Sequence, residues 1–268
     1  MDQLSSLIVG ICLMLIMLGM GLSLTIQDFQ RIALKPKAVI IGLLNQLLFL
    51  PVIGFMLAKG LDMPSTVAIG IMILAACPGG ATSNLIAHLA KGDTALSVTL
   101  TAIASLLTIF TIPLIIHFSI LEFASADEQI DLNAAQMIGQ LFAIVIVPVA
   151  LGMLLKYKKP AFALRMDKPV RTASGILLAI VTVALIIRER ENIIPFFQEA
   201  GVATILLNVT TIGLGFLTAR LARLQPKQGL SIAIESGIQN SALAMTIATV
   251  TLQNTSFGIA AAIYTLVM

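Results

Sequence analysis

The sequence predicts an all-α polytopic membrane protein, and three observations carry that prediction. Of the 268 residues, 58% are hydrophobic and only 11% are charged, whereas soluble globular chains average about 45–50% apolar and about 25% charged residues. Mean hydropathy is +1.03. The apolar residues fall into nine long continuous stretches, too long and too unbroken for the roughly ten-residue alternation of a membrane barrel. At about 20 residues per span the chain is filled by spans and short loops, which excludes a soluble enzyme and a tethered ectodomain.

The elements follow in order at about 4–27, 38–58, 65–90, 94–118, 132–155, 169–187, 198–219, 228–252 and 256–268. The first is preceded by Asp2 rather than a basic segment and lacks a small-residue cleavage pattern, so it reads as a retained span rather than a signal peptide. The second carries one polar amide, Gln46. The third is interrupted by Cys77-Pro78-Gly79-Gly80, where proline removes a backbone donor and two glycines weaken helix. The fourth begins after Asp93 and sets Ser97 and Thr101 four apart, on one helix face. The fifth to seventh are uninterrupted. The eighth is broken by a polar run, Glu235, Ser236, Gly237, Gln239, Asn240 and Ser241. The ninth, thirteen residues, rises about 20 Å against a hydrocarbon core of about 30 Å, so the expectation is a chain that continues natively or is shortened.

Alternating the nine segments across a bilayer puts thirteen of the sixteen basic residues on one side, leaving only Lys59, Arg188 and Arg190 on the other. The positive-inside rule makes the basic side cytoplasmic, with the N-terminus outside and the C-terminal end toward the cytoplasm of an inner cell membrane. The net charge of +3 is therefore a matter of topology and gives no reason to expect nucleic acid. Cys12 and Cys77 lie in apolar stretches and read as packing residues. His88 and His117 stand alone near span ends and read as interface residues.

Unpaired backbone in hydrocarbon costs several kcal/mol per group, so the two breaks are expected to line a cavity or bind something. Superposing Gly80–Ala87 on Gly237–Ala244 gives a faint internal repeat of glycine, polar residues and apolar helix. Segments one to four match six to nine, and the unpaired fifth reverses the second copy, giving an inverted-topology repeat. Secondary transporters build their sites where two discontinuous helices of such repeats meet. Kinks joined by interhelical polar contacts are the plainer reading.

Glu235 is the one acidic side chain among thirteen that falls in no loop or span end, and no Lys or Arg sits inside a span to pair with it. A bound cation or a proton is the remaining partner. Its neighbours Ser236 and Gln239, with Ser83 and Asn84 from the other break and the Ser97/Thr101 face, offer hydroxyls and amide oxygens around one carboxylate, a donor set suited to a hard monovalent ion such as Na+. Hydrolase and protease chemistry lacks its components: there is no HExxH, no phosphate loop and no pair of carboxylates within the spans.

Three stretches, 19–51, 77–105 and 235–248, resemble the bile acid:sodium symporter family, in particular its bacterial members. The resemblance implies panel and core domains, two broken helices crossing in the core, and a substrate cavity between the domains. It implies one sodium site from Ser83, Asn84, Ser97, Thr101 and Glu235, and a second from Gln46, Glu235, Gln239 and the carbonyls of Ser236 and Ile238. It places Asn240 toward an organic anion, and Ala81 stands where bacterial members often carry Thr, leaving that contact to Thr82. No organic cofactor is implied, and oligomeric state is not readable.

On this reading 1–58 holds panel helices of the first repeat, 59–118 core helices with the break at 77–84, and 119–131 an extracellular linker. The second repeat follows in 132–187 and 188–268, with its break at 235–241; the family's first helix is missing and its last is cut short. The expected activity is sodium-coupled uptake of a bile-acid-like or small carboxylate anion by alternating access. A proton-coupled carrier, or a membrane enzyme acting at the crossover, are the alternatives.

Overall fold

The computed structural model describes residues 3–125, 132–188 and 193–268, and all of them fold as helices and connecting turns with a single isolated β-bridge. Among the described residues five helices are long and apolar enough to cross a membrane: Pro36–Gly60, Thr94–Phe123, Ala134–Lys158, Pro160–Ile187 and Ala200–Leu221. Shorter apolar helices occupy Leu7–Ser23, Ser65–Ala76, Ser241–Thr251 and Ser256–Val267. We number the helices α1 (Gln3–Ser23), α2 (Ile26–Leu34), α3 (Pro36–Gly60), α4 (Ser65–Ala76), α5 (Ala81–Leu89), α6 (Thr94–Phe123), α7 (Ala134–Lys158), α8 (Pro160–Arg188), α9 (Ile193–Leu221), α10 (Pro226–Gly237), α11 (Ser241–Thr251) and α12 (Ile259–Val267).

The element boundaries differ from the sequence expectation in several places, among them the start of α9 at Ile193 rather than 198. A separate helix, α2, occupies what reads as a basic loop after the first span. Its N-terminus is fixed by Asp28, whose carboxylate accepts from the Thr25 N–H at 2.8 Å and the Thr25 hydroxyl at 2.7 Å, the reciprocal capping pattern that starts a helix. Helix α8 begins at Pro160, nine residues before the expected 169, because proline at a first helical position is compatible with helix and only Lys159 interrupts the chain after α7. Helix α6 runs on to Phe123, into the expected 119–131 linker; 126–131, with Asp127, Glu128 and Asp131, lies outside the described residues, as do Glu189, Arg190 and Glu191.

Packing is closest where glycine lets backbones touch. Helix α1 lies along α7 and α8, and a Cβ on Gly21 would stand 2.2 Å from the Val149 carbonyl oxygen, one on Gly152 2.4 Å from that of Leu18. Small residues allow this approach between apolar helices that lack a hydrophobic driving force in lipid. Gly152→Leu is expected to prise α1 from α7 and lower the melting temperature by roughly 5 °C or more, at about 1–3 kcal/mol for overpacking; a detergent melt within 1 °C of wild type, by the same order-of-magnitude standard, would contradict the contact.

At one end of the bundle Lys35 Nζ donates to Asp93 Oδ2 at 2.8 Å, joining the α2–α3 junction to the start of α6. Partial burial disfavours the Asp93 charge, but the Lys35 bond, the Leu96 N–H and the charges of Lys35 and Arg31 outweigh it and hold this carboxyl below its usual range. Toward the other end of these helices Lys59 pairs with Glu122. The largest cluster of buried apolar residues among those described runs from α1 through α4 and α6 to α11 and α12, with smaller clusters where α10 meets α3 and α6 and where it meets α5.

Candidate functional site at the helix crossover

Both interruptions read in the sequence are present. Helix α4 stops at Ala76 and α5 starts at Ala81; α10 stops at Gly237 and α11 starts at Ser241. The extended segments between them meet. Gly79 and Gln239 form an antiparallel bridge, and the Asn240 N–H donates to the Pro78 carbonyl at 2.8 Å. The Pro78 carbonyl, left without an intrahelical donor by the break, is thus paired by the backbone of the other break. The half-helices start at Ala81 and Ser241, three residues off the register obtained by laying Gly80 over Gly237.

Glu235, in the last turn of α10, is 2% exposed and takes part in none of the described ion pairs. Its carboxylate accepts from the Ser97 hydroxyl at 2.9 Å through Oε2 and from the Thr101 hydroxyl through Oε1. The Asn84 carbonyl oxygen lies 2.9 Å from Ser97 Oγ and 3.2 Å from Thr101 Oγ1, and the Ser97 backbone carbonyl lies 3.1 Å from the latter. Ser83, fully buried, uses its proton on the Gly80 carbonyl at 2.7 Å and also abuts Glu235. Four of the five residues expected at the first sodium site are thus joined by hydrogen-bonding distances, and the fifth touches the carboxylate.

A proton count shows what this cluster lacks. Ser97 and Thr101 hold one hydroxyl hydrogen each. Within reach stand three side-chain acceptors, Asn84 Oδ1 and both oxygens of Glu235. Buried oxygen atoms that outnumber their donors cost free energy unless something positive sits among them. Among the described residues no three His, Cys, Asp or Glu side chains converge on a metal position, so the donor set is neutral oxygen around a single carboxylate, which suits a monovalent hard cation.

Gln46 and Gln239 form a second group. Gln46 Nε2 donates to the Cys77 carbonyl at 2.9 Å and to Gln239 Oε1 at 2.7 Å, and Gln239 Nε2 donates to the Ser236 carbonyl at 2.8 Å. Gln46 Oε1 is buried with no partner, the orphan acceptor that a cation would satisfy. Gln46 reaches this point from a π-helical turn, Asn45–Phe49, placed just before Pro51 in α3; such one-turn widenings recur at functional sites. Ile238 lies in the break, its N–H on the Ile234 carbonyl at 2.9 Å. No direct hydrogen bond joins Glu235 to this group. Gly79 lies between: its backbone pairs with Gln239, and a Cβ on it would stand 2.3 Å from Glu235 Oε1.

Next to the crossover is a cavity of about 600 Å³ bounded by α1, α5, α8 and the start of α11. Ala81, Thr82 and Asn240, the three expected substrate contacts, all line it. The α5 face 81, 84/85, 88 runs along its wall, so His88 is on the cavity rather than an isolated interface residue, and Ser174 and Thr265 add hydroxyls from α8 and α12. His88 has Asn84 one turn before it on the same face, a signal outweighed by its place near a span end, while Ser174 and Thr265 are single hydroxyls with apolar residues four positions before them. Asn240 Oδ1 caps α11 by accepting from the Leu243 N–H at 3.0 Å.

The chain is 35% identical over 243 residues to the uncharacterized sodium-dependent transporter YocS of Bacillus subtilis (strain 168), covering 90% of this chain and 73% of that protein. It is 30% identical over 245 residues to the human ileal sodium/bile acid cotransporter, covering 90% of this chain and 69% of that protein. A probable sodium/metabolite cotransporter, BASS2, chloroplastic, of Oryza sativa subsp. japonica is 30% identical over 236 residues, 87% of this chain but 54% of the rice protein, so the chain spans only about half the length of that relative. Matches over 90% of the chain take in both crossover breaks. The profile of the sodium bile acid symporter family matches residues 10–196, and the chain belongs to that family.

Proposed function

We propose that the protein is a sodium-coupled symporter importing an organic anion, with two Na+ carried at the crossover. The observation that carries this reading is the acceptor-rich cluster around Glu235: a buried carboxylate without a basic partner, surrounded by more oxygens than hydroxyl protons, beside a cavity large enough for a small organic molecule. Ser83, Asn84, Ser97, Thr101 and Glu235 hold the first ion. Gln46, Gln239, the Ser236 and Ile238 carbonyls and Glu235 hold the second. The relatives' names, a sodium-dependent transporter and cotransporters of bile acid or metabolite, support this assignment.

The anion is received in the cavity at Thr82, Asn240 and the first backbone N–H groups of α5, whose positive helix end favours negative charge; Ala81 leaves room there and no hydroxyl. The topology that serves this function is nine spans in an inverted repeat, basic loops toward the cytoplasm, with a panel moving against the crossover core. Coupling requires that sodium bind one arrangement of the crossover better than the other. The bridge between Gly79 and Gln239 supplies the link, since ions held from either half-helix pair fix both extended segments together and with them the cavity wall at Ala81 and Asn240.

Two ions with one monoanion move net positive charge inward, favoured by about 2.3 kcal/mol per 100 mV. Replacing NaCl by choline chloride at constant pH in proteoliposomes is expected to abolish uptake of a carboxylate substrate, and an inside-negative potential to accelerate it. Uptake that follows a pH gradient and ignores sodium would establish the proton-coupled alternative in its place.

A further inference from the structure

We infer that Tyr264 and Asn208 are positioning residues for the sodium-binding carboxylate, acting through the carbonyl of Gly237; this extends the sodium-symport reading and rests on it. Tyr264, on α12, is fully buried and its hydroxyl donates to the Gly237 carbonyl at 2.6 Å. Asn208, on α9, is also buried and donates from Nδ2 to the same oxygen at 2.6 Å and to the Tyr264 hydroxyl oxygen at 3.3 Å. Thr211 braces the Asn208 turn, its hydroxyl donating to the Leu207 carbonyl at 2.7 Å and lying 3.1 Å from that of Asn208.

Gly237 is the last residue of α10. The closing carbonyls of a helix have no intrahelical partner, and at this break they are satisfied from outside: Ser236 by the Gln239 amide and Gly237 by two side chains from two other helices. A doubly satisfied carbonyl is not needed to fix helix α10 as such, since one donor meets the requirement. Its effect is to pin the end of α10 to α9 and α12 at a point two residues from Glu235 and two from Gln239. Glycine permits this close approach to α9, because a Cβ here would stand 2.1 Å from Ile212 Cγ1 and 3.5 Å from the Asn208 carbonyl oxygen.

If α10 were free to slide at this end, the Glu235 carboxylate would leave the hydroxyls of Ser97 and Thr101, which come from α6 and do not move with it. Tyr264 and Asn208 touch neither the proposed ions nor the cavity; they set where Glu235 stands. Neither is prominent in the sequence, since each lies among apolar residues and scattered hydroxyls with nothing local to name its partner.

The test is a sodium titration of thermal stability in detergent, NaCl against choline chloride at constant ionic strength, for wild type, Tyr264→Phe and Asn208→Ser. Tyr264→Phe keeps the ring and removes one donor. Loss of a buried hydrogen bond worth about 1 kcal/mol predicts a sodium midpoint raised roughly fivefold, and the double variant a larger shift. A lower melting temperature without sodium but an unmoved midpoint in both variants would make the pair merely structural and overturn the inference. Should Tyr264→Phe fail to yield monodisperse protein, Asn208→Ser alone decides by the same midpoint. Wild type that sodium does not stabilise would instead sink the underlying reading, whereas stabilised wild type with unshifted variants sinks only this one.

Discussion

Replacing Glu235 by alanine is expected to reduce sodium-dependent uptake in proteoliposomes to the protein-free background, and Glu235→Gln to do nearly the same while preserving shape. The glutamine variant is the sharper test. It keeps one carbonyl oxygen to accept from Thr101 or Ser97 and removes only the negative charge. At an effective dielectric of about 20 a contact at 4 Å between unit charges is worth about 4 kcal/mol, so sodium affinity falls roughly a thousandfold. Stability moves the other way: a buried carboxylate is costly to desolvate, and its neutral isostere is not. Glu235→Gln is therefore expected to melt at or above the wild-type temperature in sodium-free buffer, and to gain nothing when sodium is added. Sodium stabilisation of Glu235→Gln equal to that of wild type would remove Glu235 from the site.

The sequence makes the chemical content of the crossover legible and leaves its bracing hidden, for a physical reason. Proline beside two glycines and a carboxylate in an apolar run are local contradictions of a membrane helix, visible without any fold. Ser97 and Thr101 were readable because helical spacing puts them on one face, and the structure turns that face to Glu235. Gly79 is different: its role depends on a side chain 156 positions away, and nothing in the local sequence tells it from Gly80. Asn208 and Tyr264 are of the same kind, because an amide or phenol in an apolar helix has many possible partners. The second helix, Ile26–Leu34, had a readable start in Thr25 and Asp28, yet Arg31 with Lys35 and Lys37 just beyond it, between two apolar stretches, make it look like a loop. Lys158 and Lys159 similarly suggest a longer connection than the single residue between α7 and α8.

Gly79→Ala and Gly80→Ala are expected to differ sharply although the residues adjoin and both backbones are extended enough to accept alanine. A Cβ on Gly80 would meet Asn240 Cα, Cβ and Cγ at 3.7 Å, ordinary van der Waals contact. On Gly79 it would stand 2.3 Å from Glu235 Oε1, 2.8 Å from its Cδ and 3.1 Å from Ser83 Oγ. Backbone movement at Gly79 is resisted by its bridge to Gln239 and by the Asn240–Pro78 bond next to it. The atoms free to yield are those of the Glu235 carboxylate, which must leave Thr101. The fold then survives at a cost of about 1–3 kcal/mol for overpacking, while the sodium cluster does not. Gly79→Ala should express as monodisperse protein without sodium stabilisation or sodium-driven uptake. Gly80→Ala should retain the sodium midpoint within about twofold, below the shift expected for one lost hydrogen bond. Equal sodium midpoints in the two variants would mean that the carboxylate does not stand against Gly79, and the arrangement of donors proposed around it would have to be redrawn.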